Sequence, residues 1–213
     1  MQSIADLRKD YMLRTLLETD VAADPVEQFS KWWDDALKSG IDEVNAMTLA
    51  TADSNAMPSA RIVLLKEFSD EGFVFFTNYN SHKGQELAEN PRACLVFFWK
   101  ELERQVRISG EVKKVSSTIS DEYFASRPEG SRVGAWASPQ SSVIGSREVV
   151  EENSAEYRKQ FNDGNIPRPP HWGGYIVIPA VIEFWQGRPN RLHDRIQYSL
   201  QENLSWKIER LAP

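Results

Sequence analysis

Apolar positions change their period along this chain. Between residues 24 and 40, Val26, Phe29, Trp33, Ala36 and Leu37 recur at three- and four-residue steps, the spacing of one helix face. Asp24 suits a cap, Pro25 a first helical position, Glu27 the acidic end of a capping box, and Gly40 a stop. Upstream, Ile4–Leu17 reads as a shorter helix. The pattern then turns to short strands, Ala46–Ala52, Ala60–Phe68, Phe73–Thr77, Arg92–Trp99 and Gln105–Val115, with turns at Asp53-Ser54-Asn55 and Ser69-Asp70-Glu71-Gly72. His82–Glu89 and Thr118–Ala125 read as short helices, closed before Pro91 and Arg127-Pro128. Arg147–Phe161 reads as a longer helix and Asn165–Pro170 as a stiff connector. Strands resume at Tyr175–Ile178, Val181–Trp185, Arg195–Leu200 and Trp206–Arg210. The pattern predicts one mainly β domain with surrounding helices over 1–213, closer to a barrel or meander than to a repeated strand-helix-strand unit. A helical segment occupies about 1–40.

Composition narrows the chemistry. Seven Trp and ten Phe imply large buried faces. The lone Cys94 lies in an apolar run, which excludes an internal disulfide and makes a thiolate metal site a poor expectation, so no metal is predicted. Met1–Asp10 carries no apolar signal segment, and no run reaches membrane-spanning length, so cytoplasm is the expected compartment and no membrane partner is expected. A net charge of -6 disfavours nucleic acid as a partner. Yet Arg61, Lys66, Arg104, Arg107, Arg127, Arg132, Arg191 and Arg195 lie in or beside apolar segments, an arrangement that points to a bound anion. Neither a Gly-x-Gly-x-x-Gly fingerprint nor a Walker-type loop is present, so a phosphate must be held by side chains, strand edges and turns.

Several candidates keep two readings on spacing alone. Arg61 and Lys66 stand an odd number of positions apart and would face opposite ways in a regular strand. Ser81 either caps the helix that begins at His82 or joins Lys83 at a phosphate. Trp185 reads as core as readily as ligand contact, and Tyr123 as an ordinary helix-face aromatic. Arg191 and His193, two apart, share a face if their segment is extended.

Four segments together resemble the pyridoxamine 5'-phosphate oxidase family. They are Arg61-Ile62-Val63-Leu64-Leu65-Lys66; Leu102-Glu103-Arg104-Gln105-Val106; Gly134-Ala135-Trp136 with Gln140-Ser141-Ser142; and Glu183-Phe184-Trp185-Gln186-Gly187 with Arg191-Leu192-His193-Asp194-Arg195. The resemblance runs from about Arg8 to Pro213. It implies an FMN-binding split β-barrel, a homodimer with flavin at the subunit interface, and a C-terminal region of about 171–213 that serves dimerisation and substrate contact. The implied reaction is oxidation of pyridoxine or pyridoxamine 5'-phosphate to pyridoxal 5'-phosphate by molecular oxygen, releasing hydrogen peroxide.

The resemblance also implies roles. FMN would be held by Arg61 through Lys66, by Phe76, Thr77, His82, Lys83 and Gln105, by Gln140 and Ser141 from the other subunit, and by Trp185 and Arg195. Tyr123, Arg127 and Ser131 would hold the substrate phosphate. Arg191, Leu192 and His193 would meet its ring, Lys66 would lie near both ligands, and Arg8 and Tyr11 would fold over the substrate. Arg191, His193 and Lys66 are the expected catalytic set. The chain departs from the family at Phe76 (commonly Tyr), His82 (Arg), Arg132 (Gln) and Arg14-Thr15 (glycines). A split-barrel flavoprotein with another substrate would need Arg61, Lys83 and Gln105 but not the combination of Tyr123, Arg127, Ser131, Arg191 and His193.

Overall fold

The computed structural model describes residue 4 and residues 10–213. Arg8, expected at the substrate, lies outside the described residues. The described residues include nine strands and five α-helices, and the sheet runs β2-β1-β5-β6-β7-β4-β3, with β8 on β7 and β9 on β8. The chain divides into two compact units, Met1–Leu49 with Cys94–Gly110 and Pro179–Pro213, and Ala50–Ala93 with Glu111–Ile178. Strands β1 (Ala46–Ala52), β5 (Arg92–Trp99), β6 (Arg104–Lys114) and β7 (Trp172–Gln186) carry residues of both.

In the first unit, α1 (Pro25–Lys38) begins where Asp24 accepts hydrogen bonds from the Val26 and Glu27 amides, as its cap position requires. Glu27 forms an ion pair with Lys31 at 2.9 Å, one turn along. The buried stripe is Val26, Gln28, Phe29, Trp32 and Ala36, so it is rotated from the expected one, and Leu37 faces out. The rotation follows from Trp32, whose ring meets Phe184 edge-on at 5.1 Å while the Arg104 guanidinium covers it at 4.3 Å. Strands β8 (Asp194–Leu200) and β9 (Trp206–Leu211) form an antiparallel hairpin, and β8 continues onto β7 with Trp185 opposite Arg195.

The helix expected over Ile4–Leu17 is absent from residues 10–17, which run as irregular chain. Three of their amides donate to distant carboxylates instead. Glu103 accepts from Met12 and Leu13 at 2.9 and 3.1 Å, and Asp194 accepts from Leu16 at 3.1 Å. These bonds satisfy backbone groups that a helix would have satisfied internally.

In the second unit, the strand expected over Ala60–Phe68 is broken. It forms β2 (Pro58–Leu64) and β3 (Glu67–Ser69), with Lys66 at the break donating its amide to Val74. Strand β4 (Gly72–Asn78) is buried over most of its length and pairs antiparallel with the start of β7, Phe76 opposite Gly174. Gly72 sits at φ +141°, where a side chain would run into the Val177 carbonyl. The two strands expected over Tyr175–Ile178 and Val181–Trp185 are one continuous β7 through Pro179. Helices α2 (His82–Glu89), α3 (Ser117–Ser126) and α5 (Glu148–Gln160) stand where periodicity places them. Helix α4 (Glu129–Ala137) is an addition, and it buries Val133 and Ala135 against Phe124, Ile166 and Trp172.

Candidate active site

The second unit contains a cleft of about 690 Å³. Strand β2 contributes Arg61, Ile62, Val63 and Leu64 to its wall, and the β2–β3 break contributes Lys66. The strand break removes the opposite-face problem, because Lys66 no longer follows the β2 pleat. The end of β4 adds Phe76, Thr77 and Asn78; α2 adds Lys83; α3 and the turn after it add Tyr123 and Arg127; α4 and its exit add Ser131, Ser138 and Gln140; Trp172 completes the wall. Leu65 turns into the core, and His82 and Ser141 are exposed outside this lining.

Among the described residues, four cations line the cleft and no carboxylate does. Arg127 is half-buried, with its guanidinium 4.6 Å from the Trp172 ring centre, and its Nη1 has no hydrogen-bond partner among the described residues. Burial, the main cause, lowers its pKa. Beside it, Phe76 and Tyr123 stack at 4.0 Å, and Lys66 Nζ stands 5.8 Å from the Tyr123 ring. Lys83 Nζ donates to three neutral acceptors, Thr77 and Ser81 at 3.2 Å and Gln140 at 3.3 Å. Burial and then the Arg61 charge push the Lys83 pKa down. The Gln140 side chain meets Lys83 within this chain.

Behind this wall lies a carboxylate that the sequence reading missed. Glu86 is only 4% exposed and accepts from Thr51 and Ser59, at 2.6 Å for the closest oxygen in each case. Arg61 pairs with it at 3.1 Å and also donates to Thr51 and Ser59, and His82 Nε2 stands 3.0 Å from its other oxygen. Burial alone would raise the Glu86 pKa; the hydrogen bonds from Ser59, Thr51 and Arg61 outweigh it and hold the carboxyl below its ordinary value. The signal was available, since Glu86 stands three positions after Lys83 and four after His82, on one face of α2.

The remaining candidates belong to the first unit. Trp185 and His193 pack at 4.6 Å between ring centres, and Tyr11 meets both, at 5.8 and 6.0 Å. Arg195 donates to Glu183 at 2.8 Å, which raises its pKa, and to the Ala212 carbonyl. Gln105 lies on β6, half-buried. Arg191 and Leu192 are exposed. The segment that holds Arg191 and His193 is not extended. Asn190 and Arg191 both take positive φ, 56° and 61°, so the two-apart argument for a shared face does not apply. Among the described residues no group of three or more His, Cys, Asp or Glu could hold a metal ion, and no helix is long and apolar enough to cross a membrane.

Solved structures share this architecture. PhzG from Burkholderia lata, determined with tetrahydrophenazine-1-carboxylic acid, matches at a TM-score of 0.88 and 30% identity, over 94% of this chain and 99% of that one. A pyridoxamine 5'-phosphate oxidase-related, FMN-binding protein from Nostoc punctiforme shares the fold at a TM-score of 0.69 and 17% identity, over 91% of this chain and 100% of that one. The fold thus belongs to the split-barrel class.

The family model described as pyridoxamine 5'-phosphate oxidase matches residues 33–161, and that described as pyridoxine 5'-phosphate oxidase C-terminal dimerisation region matches 172–213. The pyridoxine/pyridoxamine 5'-phosphate oxidases of Cupriavidus necator and Trichormus variabilis are each 59% identical, covering 100% of this chain and 100% and 99% of theirs. The chain belongs to the pyridoxamine 5'-phosphate oxidase family.

Proposed function

We propose that this protein catalyses the FMN-dependent oxidation of pyridoxine 5'-phosphate and pyridoxamine 5'-phosphate to pyridoxal 5'-phosphate, in the synthesis and salvage of that cofactor, with molecular oxygen as final acceptor and hydrogen peroxide released. The observation that carries the reading is the acid-free, four-cation cleft with the unpartnered Arg127 Nη1 in a chain of net charge -6. Such a lining fits phosphate esters, and a guanidinium fork offers paired donors to phosphate oxygens. The 59% identity to oxidases named for these two substrates supports the same choice.

The donor set also fits FMN. Arg61, Lys83 and Thr77 would hold its phosphate, with Ile62 to Lys66, Phe76, His82, Gln105, Gln140, Ser141, Trp185 and Arg195 as further contacts. When bound, FMN supplies the two-electron acceptance from C4' and the reaction with oxygen. The protein's share is alignment and charge. Tyr123, Arg127 and Ser131 would fix the substrate phosphate, and Lys66 would bring a compact positive charge near both ligands. Arg191, Leu192 and His193 would orient the ring, with Arg8 and Tyr11 covering it. The match of residues 172–213 to a dimerisation region, together with the exposed Ile62, Phe98 and Val143, supports a homodimer.

Flavin absorbance of FMN-loaded protein, followed anaerobically, tests the reading. Addition of pyridoxine 5'-phosphate is expected to bleach the flavin bands, and air to restore them with peroxide release. A flavin that stays oxidised with both phosphates would overturn the substrate assignment.

A further inference from the structure

Two arginines of the cleft are held in opposite ways. Arg61 is paired with a carboxylate, Glu86, at 3.1 Å. Arg127 has no carboxylate partner among the described residues, and rings hold it instead. Its guanidinium carbon lies 4.6 Å from the centre of the Trp172 ring and 5.5 Å from that of Phe124. The Arg127 backbone is extended at the end of α3, as a position before proline favours. The indole is itself fixed. It lies nearly parallel to Phe76 and Tyr123, at 5.5 and 6.1 Å with interplanar angles of 12° and 7°, and Phe124 meets it edge-on at 5.2 Å. Its backbone is tied to α3 as well. Arg168 donates to the Trp172 carbonyl and to Asp121 of that helix, each at 2.6 Å. All of these residues belong to the second unit. A ring in place of a carboxylate has an electrostatic consequence. A carboxylate beside Arg127 would cancel its charge and repel an incoming anion. An indole face attracts a guanidinium through its quadrupole and adds no net charge. Arg127 thus keeps its charge and the unpartnered Nη1 for a ligand.

We propose that Trp172 is a positioning residue for anion binding: its indole seats Arg127 by a cation–π contact, so that the guanidinium meets a phosphate ester with its charge uncompensated. The identity of that ester as a vitamin B6 phosphate rests on the function proposed above. Trp172 acts through Arg127 and not on the ligand, so its effect on binding exists only while Arg127 is present. The face of the ring is what matters, so a smaller aromatic in its place retains most of the effect and an aliphatic side chain does not.

Two measurements test this. Proton–nitrogen correlation spectra of the arginine side chains, recorded on the FMN-loaded protein, report the seating directly, with the Arg127 signal assigned by its loss in Arg127→Lys. The expected signal is displaced upfield by the ring current and returns to the ordinary arginine position in Trp172→Leu. An ordinary position in the parent overturns the seating, and this arm needs neither substrate nor a stable Trp172 variant. Calorimetric titration of the FMN-loaded protein with pyridoxal 5'-phosphate then completes a double-mutant cycle. Trp172→Leu is expected to weaken binding roughly 3- to 30-fold and Trp172→Phe to stay within about threefold of the parent. Arg127→Met is expected to weaken it roughly 10- to 100-fold, and adding Trp172→Leu to that variant to change it by less than about twofold. A Trp172→Leu loss that persists at full size without Arg127 overturns the positioning role, since a wall or a direct ligand contact would behave that way. Equal losses in Trp172→Leu and Trp172→Phe overturn the part of the ring. Inorganic phosphate, titrated through the same cycle, separates this inference from the functional reading: if it follows the cycle while pyridoxal 5'-phosphate fails to bind, the seating stands and the substrate assignment falls.

Discussion

Glu86 places a negative charge behind a wall that presents only positive ones. Its four partners, Thr51, Ser59, Arg61 and His82, converge on one buried carboxylate, so the orientation of Arg61 depends on it. Its folded-state pKa is depressed below the ordinary 4.5, so its contribution to stability is complete above that value and is lost as pH falls through the folded one. Glu86→Gln is expected to lower stability at neutral pH by about 1–3 kcal/mol and to flatten the acid limb of unfolding midpoint against pH. An unchanged acid limb would show that the carboxylate is not the group responsible. Arg127 tests the opposite face of the same wall. Arg127→Lys keeps the charge and removes the fork, so KM for pyridoxine 5'-phosphate is expected to rise roughly 10- to 100-fold with the smaller effect on kcat. A loss confined to kcat would move Arg127 from phosphate binding to the chemical step.

At the scale of elements, α1 depends on a local rule that a point change can remove. Asp24 accepts from two amides of the first turn, at 2.7 and 3.1 Å. Asp24→Ala is expected to cost about 1 kcal/mol and to lower Tm by roughly 2–4 °C in thermal unfolding followed by circular dichroism. Elements governed by such local rules were legible in the sequence. Strand β1, helix α2 and strand β5 have the bounds that alternation, the Ser81 cap and Pro91 predict. Helix α4 was not legible, because Gly130 and Gly134 interrupt its pattern and Arg127-Pro128 reads as a stop, while its stability comes from Phe124, Ile166 and Trp172 elsewhere in the chain. Residues 10–17 were misread for the same reason. Their apolar spacing suits a helix, but Glu103, about ninety positions away, takes two of their amides. The cleft divides similarly. The motif residues Arg61, Lys66, Lys83, Tyr123, Arg127, Ser131 and Gln140 come together, whereas for Glu86 the sequence offers only its place on one helix face with His82 and Lys83, and its partners Thr51, Ser59 and Arg61 meet it only in the fold.

At the scale of the whole molecule, a chain of net charge -6 contains a cleft whose ionised lining groups, among the described residues, are all positive. This contrast predicts which part of a flavin carries its binding energy. If the phosphate is the anchor, FMN at about one hundred times its Kd stabilises the folded state by about 2.7 kcal/mol. For a chain of this length that is a Tm rise of roughly 5–10 °C. Riboflavin has the same ring without the phosphate, and at equal concentration it is expected to give a much smaller rise. Added salt should erode the FMN shift more than the riboflavin shift, since screening weakens the charged contact and leaves ring stacking largely intact. Thermal melts of apoprotein with each flavin, at low and high salt, decide the matter. Equal shifts from the two flavins would mean that the ring governs affinity and that the four cations serve the substrate phosphate alone. A shift with FMN only, lost on Lys83→Met, would place the cofactor phosphate at Lys83.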